Sequence, residues 1–160
     1  MKGIQQWLDD YGVSHQNKIN KAIHWICVPA IMFSIFGLLL SIPFPEVAGG
    51  WVNAATIVLI LALIFYLRLS LPMFFGFLII GGGMLYLNMI LLEANPLGFT
   101  NPQTGLLILS VSIFVIAWIG QFIGHKIEGA KPSFFEDLQY LLIGPAWLLH
   151  FIYRKIGISY

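Results

Sequence analysis

The stretch Tyr11–Pro29 reads YGVSHQNKINKAIHWICVP, in which a polar segment carrying two histidines runs straight into an apolar one. From Trp25 to Ile42 there is no charged residue. A run of that length approaches the ~20 residues that an α-helix needs to cross a bilayer. Three more uncharged runs follow, Val47–Leu67, Leu69–Leu92 and Gly105–Phe122. The segments between them, IPFPEVAGG, RLSLP and EANPLGFTNPQT, carry the Pro, Gly and Asn that close turns. Of the 160 residues, 59% are hydrophobic and 9% charged, far from the roughly 25% charged residues of a soluble domain. The chain reads as one integral membrane domain over residues 1–160, with no repeat or soluble linker.

Charge placement gives an orientation, because Lys and Arg stay on the cytoplasmic side of short loops. Lys2, Lys18 and Lys21 precede the first run, Arg68 lies between the second and third, and Lys126 and Lys131 follow the fourth. The opposite loops carry only Glu46 and Glu93. Four crossings therefore place all these basic residues on one side, with the N-terminus cytoplasmic. The last apolar segment, Leu138–Tyr153, is short and is interrupted by Gly144-Pro145. A full crossing there would carry Arg154 and Lys155 to the wrong side, so a re-entrant or interfacial element is expected, with a fifth helix as the alternative. IQQWLDDY, near the N-terminus, reads as a short interfacial helix with Trp7 and Leu8 on its apolar side. The expected fold is thus an all-α membrane bundle of four transmembrane helices, an N-terminal interfacial helix and a C-terminal re-entrant or fifth helix.

The polar residues left over converge. His15 precedes the first run, His24 opens it and His125 closes the fourth, so three of the four histidines share one membrane depth. Tyr11 and His15, and Asn20 and His24, are spaced i, i+4 and can share a helix face. His15 and His24, nine positions apart, meet only if the chain turns between them, near Gln16–Ile19. Gln121, His125 and Glu128 form one helical stripe, and a histidine and a carboxylate three apart can both reach a metal. Imidazole and carboxylate suit iron among other metals, and two histidines with one carboxylate are the usual set of mononuclear non-haem iron oxygenases. Each histidine taken singly also fits a plain hydrogen-bonding role at a helix entrance. His150 reaches the same depth only if the last segment is re-entrant. The lone Cys27 excludes an internal disulfide and a Cys-rich metal site. A formal charge of +1 and scattered basic residues give no reason to invoke nucleic acid. Gly120 and Gly124 read as a small-residue pair for close helix packing, and Gly81-Gly82-Gly83 as a second such place.

Two motifs carry a resemblance. Tyr11, His15, Asn20 and His24 followed by Cys27-Val28-Pro29, and then Gly124, His125, Glu128, Pro132, Asp137, Leu138, Leu142, Gly144 and Pro145, resemble the Mpo1-like family and bracket nearly the whole chain. The resemblance implies an Fe(II)-dependent dioxygenase that shortens 2-hydroxy fatty acids by one carbon with release of carbon dioxide, consuming molecular oxygen. It implies iron binding at His15, His24 and His125, with Glu128 and His150 as further candidate ligands. Asn20, Gln121, Lys126 and Lys131 are the candidate substrate-binding residues, Lys126 and Lys131 for the carboxylate of a long-chain acid whose tail stays among helices or lipid. The short loops resemble a bacterial inner-membrane member with both termini cytoplasmic, or an endoplasmic-reticulum protein if the source is eukaryotic. The competing classes are a haem-binding electron carrier, a lipid-binding scaffold and a small transporter; oligomeric state is left open.

Overall fold

The structure, a computed structural model, describes residues 3–45, 50–129 and 140–160. The described residues form six α-helices and no strand: α1 (Ile4–Val13), α2 (Lys18–Leu40), α3 (Ala54–Leu69), α4 (Leu71–Ala94), α5 (Pro102–Glu128) and α6 (Ile143–Ile156). Three of them, α2, α4 and α5, are long and apolar enough to cross a membrane, consistent with a membrane protein. Their outer faces are apolar, Ile79 and Ile116 being 74% and 70% exposed.

The boundaries differ from the uncharged runs for local reasons. α3, expected from Val47, begins at Ala54, because the Asn53 side chain accepts from the Thr56 amide at 2.9 Å and caps it there. Its 16 residues make about 24 Å, less than a ~30 Å hydrocarbon core. Residues 46–49 lie outside the described ones. α2 starts early, at Lys18, where Asn17 accepts from the Ile19 amide at 2.8 Å. α5 runs on to Glu128 before Gly129, with φ of 82°, ends it in the left-handed region that favours glycine. His24, His125 and Glu128 are therefore all helical.

Gly144-Pro145 was expected to break the last segment. Instead it lies in the first turn of α6, where the missing proline N–H has no intrahelical acceptor to lose. With 14 residues, about 21 Å long, α6 is shorter than a crossing requires. The Tyr66 hydroxyl donates to the Leu142 carbonyl, and the Tyr153 hydroxyl donates to the Pro72 carbonyl at 2.6 Å. These bonds lay α6 over the end of the bundle where α3 passes into α4. α1 packs against α6, burying Leu8 and Tyr11.

α2 and α5 are antiparallel and form the main seam. A Cβ on Gly120 would lie 2.5 Å from Cys27 Sγ, and one on Gly124 would overlap Asn20 Oδ1. The Gly120–Gly124 expectation of close packing holds. Farther along, Gly37 of α2 faces Ser110 of α5 and Asn88 of α4. Asn88 donates to the Phe33 carbonyl at 3.1 Å and to the Met84 carbonyl at 2.9 Å. Of the other glycine cluster only Gly81 is in close contact, with Leu59 and Phe77, while Gly82 and Gly83 face open space. A glycine triplet spans most of a helical turn, so only one of its members points at a given neighbour.

The same substitution at two glycines separates packing from propensity. Gly37→Leu should lower stability by about 2 kcal/mol or more through overpacking. Gly82→Leu should be neutral or stabilise by up to about 1 kcal/mol through helix propensity. Unfolding of both variants in detergent micelles measures the difference.

Candidate metal centre

Three imidazoles reach one point from three elements. His15 follows the end of α1, His24 lies in the second turn of α2, and His125 in the last turn of α5. The chain turns between α1 and α2 over residues 14–17, as the nine-residue spacing of His15 and His24 requires. All three side chains are buried, at 2%, 0% and 6% exposure. Ring centroids are 4.4 Å apart for His15 and His24, 5.0 Å for His24 and His125, and 5.4 Å for His15 and His125. One nitrogen from each ring lies within 4.8 Å of the other two, the group of possible metal ligands found among the described residues.

Two tautomers are set by the backbone. His15 Nδ1–H donates to the Tyr11 carbonyl at 2.6 Å, and His24 Nδ1–H to the Asn20 carbonyl at 2.9 Å. Each is an i to i−4 bond, so the spacing seen in the sequence serves the ring's outer nitrogen. With the proton held on Nδ1, Nε2 carries the lone pair that a metal requires, and the ring orientation is fixed. Three buried imidazoles, two of them oriented by backbone carbonyls, are a donor set that suits iron, zinc or copper.

Glu128 lies beside this group with a different task. Its carboxylate accepts from the Gln16 amide at 2.7 Å, from the Asn17 amide at 2.9 Å and from Asn20 Nδ2 at 2.9 Å. Asn20 Nδ2 also donates to the Ser14 carbonyl at 3.2 Å. The carboxylate, a further candidate ligand in the sequence, lies outside the group of three histidines and ties the α1–α2 turn to the end of α5. A turn whose amides need an acceptor competes directly with a metal for those oxygens.

The family described as 2-hydroxy-palmitic acid dioxygenase Mpo1-like matches residues 1–156. The chain belongs to the Mpo1-like family. It is also 29% identical over 156 residues to the 2-hydroxy-palmitic acid dioxygenase MPO1 of Saccharomyces cerevisiae, covering 96% of this chain and 82% of the yeast protein. No solved structure matches it.

Around the histidines of this Mpo1-like chain the aromatic residues form a wall. Tyr11 stacks on His15 with centroids 4.1 Å apart, and Trp147 of α6 lies 5.2 Å from the same ring. Trp147 was not singled out from the sequence, since an aromatic residue on an apolar helix reads as core. His15 also lines a polar cleft with Asp9, Lys21, His150 and Arg154. Lys21 and Arg154 are the basic groups near the site, whereas Lys126, expected to attract a carboxylate, is exposed and lines none of the cavities about the histidines. Lys131 lies outside the described residues. His150 is not in the triad; its Nδ1 is hydrogen-bonded to the Tyr160 hydroxyl. Burial holds its pKa below the ordinary imidazole value and Arg154 adds to this, with Asp9 opposing, which suits a neutral ring. Gln121, one turn before His125, is buried in the wall of an apolar cavity.

Removing the Glu128 carboxylate tests its assignment as a positioning group. Glu128→Ala should cost about 1–3 kcal/mol in folding, from amides left without an acceptor. It should weaken metal binding by about 10- to 100-fold without abolishing it, as loss of a group that orients ligands does. Thermal unfolding and titration of the metal-free protein with Fe(II) under anaerobic conditions read the two effects.

Proposed function

We propose that this protein is an iron-dependent dioxygenase that converts a long-chain 2-hydroxy fatty acid to the acid one carbon shorter. The observation that carries the reading is the buried triad of His15, His24 and His125, with a nitrogen of each within 4.8 Å of the others. Membership of a family named for such a dioxygenase supports it. The reaction balances with one molecule of oxygen. The C1–C2 bond breaks, C1 leaves as carbon dioxide, C2 becomes the new carboxyl carbon, and one water forms. Bound Fe(II) would supply the one-electron chemistry that lets oxygen react with a closed-shell organic acid.

The chain's own residues supply geometry. The Tyr11 and Asn20 carbonyls keep His15 and His24 in the Nε2 lone-pair tautomer. Tyr11 and Trp147 shield the His15 ring from water. Lys21 and Arg154, in the cleft that reaches His15, are placed to attract a carboxylate entering from the aqueous side. In this reading the bundle crosses the membrane four times with α3 as the shortest crossing, and both termini are cytoplasmic. Lys18, Lys21, Arg68, Lys126 and Arg154 then share the histidine end of the bundle.

Purified protein loaded with iron anaerobically should contain about one iron per chain. Alanine at His15, His24 or His125 should strip the metal, because a triad that loses one imidazole keeps too few donors. His150→Ala should keep it. Given oxygen, the wild type should shorten 2-hydroxyhexadecanoic acid and leave hexadecanoic acid unchanged, read by mass spectrometry of the products. Full iron retention by all three alanine variants, or no turnover of either 2-hydroxy stereoisomer at any chain length, would refute the proposal.

A further inference from the structure

An apolar cavity of about 690 Å³, counting the part open to the outside, lies between α2, α3, α4 and α5. Its lining on α2 runs from Val28 to Phe36, about 12 Å along the helix at 1.5 Å per residue. One part of its wall is Tyr11, whose ring stacks on His15, so it approaches the histidines there without being lined by them. It runs away from the histidines along α2, past Ala62 of α3 and Ile35 of α2.

One residue in this wall has an amide where the rest of the lining is largely apolar. Gln121 is 6% exposed, and its Oε1 is buried with no hydrogen-bond partner among the described residues. An amide oxygen buried without a partner costs about 1–3 kcal/mol. That cost is recovered only if something that enters the cavity donates to it. Gln121 lies one helical turn from His125, so the donor must be at the metal end of whatever fills the slot.

We infer that this cavity holds the alkyl chain of the substrate acid, packed against Ala62 and Ile35, and that Gln121 Oε1 accepts a hydrogen bond from the 2-hydroxyl group. The inference rests on the proposed reading in naming the acid. It adds that selection of the hydroxylated acid is made partly by the protein and not wholly by the metal. An acid without the 2-hydroxyl leaves Gln121 unsatisfied inside an apolar cavity. A site built around such a group discriminates strongly against the analogue that lacks it.

The test uses the whole, metal-free protein in detergent, so that binding is read without turnover. Unlabelled acids of increasing length, with and without the 2-hydroxyl, compete with a fluorescent fatty acid. The wild type should bind 2-hydroxyhexadecanoic acid about tenfold more tightly than hexadecanoic acid. Gln121→Leu, which keeps the volume, should bring the two acids to equal affinity and leave the length profile unchanged. Ala62→Leu and Ile35→Phe fill the slot from two separate helices. Each should move the tightest-bound length to a shorter acid and weaken the hexadecanoic chain about tenfold. Circular dichroism and thermal unfolding identify any variant that has not folded, and either slot variant alone suffices. A length profile unmoved by a folded slot variant, or a hydroxyl preference unmoved in Gln121→Leu, overturns the inference. An acyl-binding protein that shows these shifts yet never turns over a 2-hydroxy acid would instead refute the proposed reaction and leave the slot standing.

Discussion

The close approach of α5 to α2 at Gly124 is the constraint on which the rest depends. With no side chain at that position, α5 comes so near that a single methyl group would overlap Asn20 Oδ1 and lie 3.4 Å from His24 Cε1. The next residue, His125, is thereby brought to within 5.0 Å of His24, centroid to centroid. Gly120, one turn earlier, does the same against Cys27. In a bilayer no hydrophobic force drives two apolar helices together, so close backbone packing has to supply the association. Here that packing also sets the distance between two candidate metal ligands.

The third imidazole comes from outside the helix pair, and its placement shows how a loop can be made as exact as a helix. His15 follows α1, in the short turn that leads into α2. Glu128 accepts from the amides of Gln16 and Asn17, and through Asn20 it also reaches the Ser14 carbonyl. A carboxylate accepting several N–H bonds is strongly held, because charge-assisted hydrogen bonds exceed neutral ones. The α1–α2 turn is thus fastened to the end of the same helix that carries His125. Moving one histidine means moving the element that holds another.

Much of this was legible in the chain. Uncharged runs of crossing length marked the long helices, and the polar residues stranded at one end marked the site. The i, i+4 spacing of Tyr11 with His15 and of Asn20 with His24 was visible, and its reason is now seen in the two backbone carbonyls that take the Nδ1 protons. Other features were hidden by physics that pattern does not carry. The Glu128 stripe position suits a ligand and a turn clamp equally, and the bonds to the Gln16 and Asn17 amides depend on a fold that the stripe does not show. Gly144-Pro145 reads as a break in an apolar run, but whether a proline interrupts a helix or opens one depends on where the preceding turn ends. Lys126 and Lys131 were the basic groups expected to attract a carboxylate; Lys126, next to His125, is exposed, since neighbours along a helix project about 100° apart. Lys21 and Arg154 were brought in by tertiary folding.

The stacked Tyr11 and His15 rings border two unlike spaces. On one side of the stacked Tyr11 and His15 rings is a cleft with Asp9, Lys21 and Arg154; on the other is a cavity whose lining is aliphatic and aromatic apart from Gln121. A molecule that satisfies both must be polar at one end and alkyl at the other, with its reacting atoms near the junction. Free energy favours that placement at both ends, since an alkyl chain gains roughly 0.8 kcal/mol per methylene buried while a carboxylate needs water or a cation beside it. A soluble small acid would leave the apolar space empty, and a hydrocarbon without a head group would leave the Gln121 amide without a donor. On the proposed reading, an amphiphile fits both spaces at once, and its reacting atoms would lie near the Tyr11–His15 pair that borders both.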